Sequence, residues 1–245
     1  MGCSSKVNAF LYAMALQWKL DIRSKTLLIT CYIVPLLFFA FMGSIFTSIL
    51  PDAKNTLIQS MTVFGVTMGA LIGLPPSLVE IYGGSVQNVY KANGVPISIG
   101  VILTNCSAFI HLFTMGSILF VAAPIIFGAQ LPANPWMHFI ILALLIGVSL
   151  SVASVIGLLV KDPSKTAMFS IIVFLPSVIL SGIMFSNTLL PNAFQVIGML
   201  FPATWGYRLM TEEVFRFENL LPLFLIWAAA AFLCALLLKR ADMRR

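Results

Sequence analysis

The sequence predicts an all-α integral membrane protein with six transmembrane helices and an amphipathic interfacial helix before them. A short cytoplasmic helix is predicted between spans two and three, and an external re-entrant helix pair between spans five and six. Two observations predict this fold class. Of the 245 residues, 60% are hydrophobic and only 9% charged, whereas soluble domains carry roughly 25% charged residues. Six apolar stretches also reach the length of about 20 residues that a helix needs to cross a bilayer.

The six predicted spans contain no Lys, Arg, Asp or Glu. They cover residues 27–49, 57–79, 99–121, 138–160, 167–185 and 221–238. The segments outside the spans are short, or, over 186–219, largely apolar. The whole chain, 1–245, is therefore predicted to form a single transmembrane domain.

Lys and Arg set the orientation, because they concentrate on the cytoplasmic side of membrane proteins. With both termini inside, all 14 of these residues lie inside except Lys54, Arg208 and Arg216. The sequence therefore predicts a multi-pass protein of the cell membrane, of bacterial plasma-membrane type, with cytoplasmic N- and C-termini. The net charge of +6 then describes a face near anionic membrane lipid, and no nucleic acid is needed as a partner.

Residues 5–25 precede the first span. Apolar residues recur there at helical spacing, at Val7, Leu11, Met14, Trp18 and Ile22. This stripe predicts a helix in the membrane plane with Trp18 at the level of the lipid headgroups. Such a helix is either a simple anchor or a lever joined to the first span.

Residues 186–219 form the long external segment between spans five and six. Pro191 suits the first turn of a helix. Pro202 ends that helix, and Thr204 is predicted to cap a second helix that begins at Trp205. Each helix would be about 15 Å long, so neither can cross the bilayer. Both are too apolar for water, and we expect a re-entrant hairpin in the outer leaflet.

The interlude EIYGGSVQNVYKANGVPIS, residues 80–98, lies in the cytoplasm between spans two and three. It predicts a helix of two turns on which Val86, Val89 and Tyr90 share one face. Seven residues of isolated helix are unstable in water, so something must bury this face. Either the chain's own inner surface and the headgroups cover it, or a partner protein docks it in a groove. A second inner loop, LLVKDPSKTAM, is expected close by.

In the order of these elements, the chain resembles the permease subunits of ATP-binding-cassette exporters of the type-two permease family, which have the type V exporter fold. The resemblance covers essentially the whole chain and rests on diffuse motifs. They are Glu80, the loop GGSVQNVYKANGVPIS, and the stretch PSVILSGIMFSNTLLPNAFQVIGMLFPATW. Many members carry a Glu-x-Gly run after the glutamate, whereas Ile81, Tyr82 and Gly83 stand there in this chain.

The resemblance implies that two permease chains, as a homodimer or heterodimer, form a central pathway with one ATPase subunit under each. The ATPase subunit would bind ATP and Mg. This chain contains no G-x-x-x-x-G-K-[ST] phosphate loop. We therefore expect a transport subunit, not an enzyme, with no catalytic residue and no cofactor or metal of its own.

The resemblance also implies three sets of site residues. Coupling to the ATPase would involve Glu80, Val86, Val89, Tyr90, Lys91, Pro96, Lys161, Asp162 and Lys165. The substrate pathway would present Thr62, Thr67, Ser177 and Ser181. An external gate would involve Phe185, Asn187, Glu212, Glu213 and Arg216. The pathway hydroxyls could instead be helix-packing groups, and the gate charges an outer-surface cluster.

The predicted pathway has no ionisable residue at mid-membrane, whereas proton- or ion-driven carriers usually need one. A mostly apolar route suits a hydrophobic or amphiphilic substrate, such as a drug, an antibiotic, a membrane-active peptide or a lipid. The predicted function is therefore ATP-driven efflux, with multidrug or peptide resistance as its consequence.

Two other functions remain open at this point. A membrane immunity or sensor protein could use the same spans to bind a toxin without transport. An intramembrane protease is the second alternative, because EEVFR at 212–216 is similar to the acid-acid-x-x-x-Arg motif of CAAX-type proteases. Its Arg comes one residue early, and Phe217 stands in the required place. His111 and His138 lie near no second ligand in sequence, although a metal needs three or four.

Overall fold

The computed structural model describes residues 3–49, 51–84, 90, 92–93, 95–184, 189–212 and 216–243. Every regular element in these ranges is a helix. The all-α fold class predicted from the sequence is therefore confirmed.

The amino-terminal half contains α1, over Cys3–Arg23, and two spans that are each interrupted by a π-helical turn. The first span consists of α2 (Lys25–Leu28), the turn Ile29–Ile33 and α3 (Val34–Ile49). After the 3-10 turn Pro51–Asn55, the second span consists of α4 (Leu57–Met68), the turn Gly69–Gly73 and α5 (Leu74–Gly83).

The described part of the carboxyl-terminal half contains three long helices, then two short ones and a last long one. The long ones are α6 (Ser98–Phe127), α7 (Pro135–Leu159), α8 (Pro163–Ile179) and α11 (Phe217–Met243). The short ones are α9 (Asn192–Gly198) and α10 (Pro202–Thr211).

Five helical stretches in the described part of the chain are long and apolar enough to cross a membrane. They are Ile29–Ile49, Leu57–Gly83, Ser98–Phe127, Pro135–Leu159 and Phe217–Arg240. A sixth apolar helix, α8, has 17 residues, or about 25 Å at 1.5 Å per residue. The chain is thus a multi-pass membrane protein.

The fifth predicted span, 167–185, differs from the observed helix at both ends. Pro163 takes the first helical position, and the Asp162 carboxylate caps it by accepting a hydrogen bond from the Ser164 amide at 2.9 Å. The α8 helix ends at Ile179, and Gly182 has φ of 89°, a conformation that favours glycine. The helix thus begins and ends before the predicted span does, because hydropathy continues through the buried turn after Ile179.

The two π-helical turns lie where the sequence places proline in a span. Pro35 follows Ile29–Ile33, and Pro75 follows Gly69–Gly73. A proline ring clashes with the carbonyl four residues earlier and has no N–H to donate to it. The preceding turn widens in both spans, which is the usual way to accommodate such a break. These turns are the irregularities that the prolines predict.

The second span forms the centre of the bundle, and all residues of α4 are buried. Glycines allow other helices to approach it closely. Gly65 and Gly69 face Met115 and Leu112 of α6. Gly157 of α7 lies so close that an added Cβ would stand 2.8 Å from the Leu78 Cβ. Small residues at such contacts are typical of helix packing in membranes.

The interfacial helix α1 packs against the third span. The Trp18 ring stacks on the His111 ring of α6, with centroids 4.1 Å apart and an angle of 3°. The predicted stripe is split, because Leu11 and Ile22 are exposed while Trp18 faces protein. A helix held in this way is more than a lipid anchor.

Both helices of the segment predicted to be external are present, but Pro191 is the N-cap of α9 and does not lie in its first turn. Pro202 occupies the first position of α10, so Thr204 lies inside the first turn and is not the N-cap. Its hydroxyl instead donates to the Gly198 carbonyl at 2.6 Å, and the Trp205 indole donates to the Met199 carbonyl at 2.8 Å. These bonds join α9 to α10. The depth of the pair in the membrane stays a prediction.

Candidate functional site

The two loops that the sequence predicts to be cytoplasmic meet on one surface at one end of the bundle, which is the predicted inner end. Gly83 closes the second span, and a Cβ added to it would stand 3.0 Å from the Lys161 carbonyl oxygen. Five of the predicted coupling residues are exposed around this contact: Glu80, Pro96, Lys161, Asp162 and Lys165. We call these five residues the inner surface. The sequence expectation that the loops lie close together agrees with this geometry.

Tyr82 fixes the base of the first cytoplasmic loop. Its hydroxyl donates to the Ile97 carbonyl at 2.5 Å and accepts from the Val101 amide at 3.0 Å. The end of α5 is thereby bonded to the start of α6. Tyr82 is not among the coupling residues predicted from the sequence, although Ile81-Tyr82-Gly83 departs from the family pattern. That departure was the available signal.

The predicted docking face lies partly outside the described residues, since Val86, Val89 and Lys91 are not among them. Tyr90 is described and is half-buried. Its ring approaches α6, because a Cβ added to Gly100 would stand 3.2 Å from a Tyr90 ring carbon. Tyr90 therefore packs against the chain's own inner end, and the docking of this face on a partner stays a prediction.

Asp162 has a structural task within the second loop. Its carboxylate accepts from the amides of Ser164, at 2.9 Å, and Lys165, at 3.3 Å. Negative charge at this position also complements the amino-terminal end of the α8 dipole. The side chains of Lys161 and Lys165 remain exposed. These two lysines are consequently the cations of the second loop that a partner can reach.

The four predicted pathway residues lie inside the bundle, with exposed fractions of 0% for Thr62, 1% for Thr67, 0% for Ser177 and 0% for Ser181. The Thr67 hydroxyl donates to the Val63 carbonyl at 2.7 Å, and Ser181 bonds locally in the same way. Within the described residues, the Thr62 and Ser177 hydroxyls have no hydrogen-bond partner. A pathway along these groups requires the helices to separate.

The predicted external gate is only partly described, because Phe185, Asn187 and Glu213 fall outside the described residues. Glu212 accepts a hydrogen bond from the Asn219 side-chain amide at 2.6 Å. Arg216 is exposed. The Glu212 bond links the end of α10 to the start of α11, so it ties the external helix pair to the sixth span.

A buried polar cluster joins α1 to the first and third spans, and the sequence analysis did not identify it. The Tyr32 hydroxyl and the His111 Nδ1 lie 2.9 Å apart. Asp21 is 5% exposed and His111 1%, and Gln17 donates to the Asp21 carboxylate at 2.9 Å. A signal existed, because Asp21 lies three residues after Trp18 and therefore on the same helix face.

The comparisons with known proteins agree with this architecture. The family model described as ABC-2 type transporter matches residues 8–215, which is most of the chain. No curated protein matches the sequence.

Proposed function

Since the chain belongs to the ABC-2 type transporter family, whose members are membrane permease subunits of ATP-binding-cassette transporters, we propose that it exports a hydrophobic or amphiphilic compound. The candidates are a drug, an antibiotic, a membrane-active peptide or a lipid. A separate ATPase subunit, which binds ATP and Mg, would supply the energy. A second permease chain, identical or related, would complete the pathway.

The observation that carries the proposal is the meeting of two loops at the inner surface. Gly83 and Lys161 are in contact there, and exposed charges surround them. These 245 residues hold no phosphate loop, and in the proposed complex the nucleotide acts through another subunit. A surface built from two loops suits such a subunit, because one docked body can then move both loops together.

Tyr82 provides a route from the docked subunit to the spans. Because its hydroxyl bonds both Ile97 and Val101, a displacement of the loop moves the ends of α5 and α6 together. The π-helical turn Gly69–Gly73 lies in the middle of the second span and marks where its inner half can tilt. Separation of the second and fifth spans would then expose Thr62 and Ser177. ATP shifts the populations of these two arrangements.

A second permease chain fits against the faces that the single chain leaves uncovered. Along α3 the exposed residues recur every fourth position, at Leu37, Phe41, Ile45 and Ile49. Along α8 the exposed apolar residues include Met168, Ile172, Leu175 and Ile179. The resemblance places the pathway beside spans two and five, and it implies that span one shifts together with them. These two faces are therefore the proposed dimer contact, with lipid covering the rest.

The coupling proposal is tested by reversing the two exposed cations of the second loop, with Lys161→Glu and Lys165→Glu combined. We expect copurification of the cognate ATPase to fall about tenfold, since each exposed charge pair contributes up to about 1 kcal/mol. The control is Lys54→Glu, a reversal predicted to lie on the outer side. Unchanged copurification of the doubly reversed chain would contradict docking at this surface.

The transport proposal is tested in vesicles that contain the chain and its ATPase. Candidate amphiphiles should raise ATP hydrolysis and accumulate on the far side of the membrane. Amphiphile binding without either response would instead indicate the immunity or sensor function.

A further inference from the structure

A lateral groove opens between α6, α7 and α11, with Met14 of α1 in its lining, and none of the residues proposed for the dimer contact lines it. Its volume is about 680 Å³, which lies in the range of roughly 300–1,000 Å³ that small-molecule sites have. Small side chains at Gly147, Ala231 and Ala235 make it concave, and Phe109 and Trp227 close its outer end. A Cβ added to Gly147 would meet nothing within 4 Å. The groove is therefore real space on a lipid-facing side.

The polar groups of the groove are already bonded to one another. Asn105 donates to the Ser154 hydroxyl at 2.9 Å and to the Val101 carbonyl at 2.8 Å. Ser154 donates back to the Asn105 carbonyl oxygen at 3.2 Å, and Ser151 donates to the Gly147 carbonyl at 2.8 Å. The N–H and O–H donors of these three side chains are all used within the chain, so a polar occupant that accepts hydrogen bonds would lose its hydration without compensation from them. The groove therefore selects an alkyl chain.

The length of the groove distinguishes a lipid chain from a partner's transmembrane helix. On α11 the lining runs from Trp227 to Leu238, about 16 Å at 1.5 Å per residue. This is half of the ~30 Å hydrocarbon layer, so the groove covers one leaflet. Met14 of α1 also lines it, and a groove half the length of a spanning helix favours an acyl chain over such a helix.

Charge at the inner end of the groove identifies the headgroup. Leu238 is followed by the exposed Lys239 and Arg240. The terminal segment KRADMRR holds four cations and one carboxylate, and its predicted side is the cytoplasm. Cations at this level attract anionic headgroups of the inner leaflet.

We propose that this groove binds an anionic phospholipid of the cytoplasmic leaflet, with one acyl chain along α11 and its phosphate beside Lys239 and Arg240. The site differs from the transport pathway, so the lipid is a resident ligand. Through Met14 it contacts the helix that carries Trp18, and its presence holds α1 against the third span.

The test uses phosphatidylglycerol with a photoactivatable acyl chain, added to the purified chain in phosphatidylcholine nanodiscs. After irradiation, mass spectrometry should locate the label on residues 227–238 and on α6. Ala231→Trp fills the groove and should abolish this labelling. Ala229→Trp makes the same change on an exposed part of α11 outside the groove and should leave it unchanged. Equal labelling of the two variants would overturn the proposal.

A second groove-filling variant and two charge variants test the acyl-chain site and the headgroup site separately. Gly147→Leu fills the groove from α7, so it should reproduce the loss if Ala231→Trp fails to fold. Lys239→Gln and Arg240→Gln should each reduce labelling by the anionic probe about fivefold, the effect of about 1 kcal/mol per cation, without affecting a phosphatidylcholine probe. Equal labelling by both probes in the unmodified chain would overturn the anionic headgroup. Crosslinks from the groove to a copurified protein would identify a helix as the occupant and overturn the lipid.

Discussion

The second and sixth spans show that hydrophobicity does not decide which helix is buried in this protein. In an 18-residue apolar window of the second span, Leu57–Gly83, 89% of the residues are buried within the chain, whereas the share in such a window of the sixth span, Phe217–Arg240, is 11%. Yet the second span is the less apolar of the two. Lipid tails are as apolar as leucine, so burial in a membrane gains little from apolar surface alone. Close packing and polar contacts decide instead.

Composition explains the difference between the two spans. The second span carries Gly65, Gly69 and Gly73, each of which approaches a neighbouring helix. It also buries the polar side chains of Gln59, Ser60, Thr62 and Thr67. The sixth span is rich in Leu, Phe and Ala, which hydrocarbon solvates equally well. A span's glycines and polar residues therefore identify the centre of the bundle.

The largest effect is expected when a glycine that contacts the second span is enlarged, because this tests directly whether close contact decides the packing. In Gly157→Ala the new Cβ would stand 2.8 Å from the Leu78 Cβ and 3.1 Å from the Pro75 carbonyl oxygen. Backbone cannot move aside as a flexible side chain can, so we expect a destabilisation of about 1–3 kcal/mol. The measurement is thermal unfolding of the purified chain in detergent.

Gly147→Ala in the same helix is the matched control, because its added Cβ meets nothing within 4 Å. We expect a gain of up to about 1 kcal/mol there, since alanine is the better helix former. If both variants shift the unfolding temperature equally, close contact with the second span does not decide the packing.

An effect of similar size, but confined to the inner end of the second span, is expected from Tyr82→Phe. The change removes the hydroxyl that bonds Ile97 and Val101 and leaves two backbone groups without that partner. The expected cost is about 1–3 kcal/mol of local stability, with a larger loss in coupling. Hydrolysis of ATP by the reconstituted complex should respond less to substrate. Tyr12→Phe, at an exposed residue of α1, is the control and should change neither the stability nor the response of ATP hydrolysis to substrate. A normal substrate response in Tyr82→Phe would show that Tyr82 is not part of the coupling route.

Sequence patterns predicted the parts of this fold that repeat along one helix. Apolar runs located the membrane helices, and the stripe over 5–25 located α1. The prolines at 191 and 202 located the external pair. Each of these signals is local, because the residues that carry it lie within a few turns of one another.

Contacts between distant helices were not predictable in this way. The cluster of Trp18, Tyr32 and His111 joins three elements, and no period in the sequence links them. Tyr82 was overlooked for the same reason, since its partners follow a loop. Hydropathy also did not predict which span is the more buried, because the second span is less apolar than the sixth and yet more buried.

The smallest effect on stability is expected when the two buried hydroxyls that have no partner in the described structure are removed, with Thr62→Val and Ser177→Ala. Neither change breaks a hydrogen bond of the described chain, so stability should stay within about 0.5 kcal/mol or rise slightly. Thr67→Val, which loses the bond to the Val63 carbonyl, is the control for hydroxyls that serve packing. If Thr62 and Ser177 line the proposed pathway, their variants should alter which amphiphiles stimulate ATP hydrolysis while unfolding stays the same. Destabilisation without a change in substrate preference would assign both hydroxyls to packing. Because they have no partner within the described chain, their packing contacts would then be with the second chain.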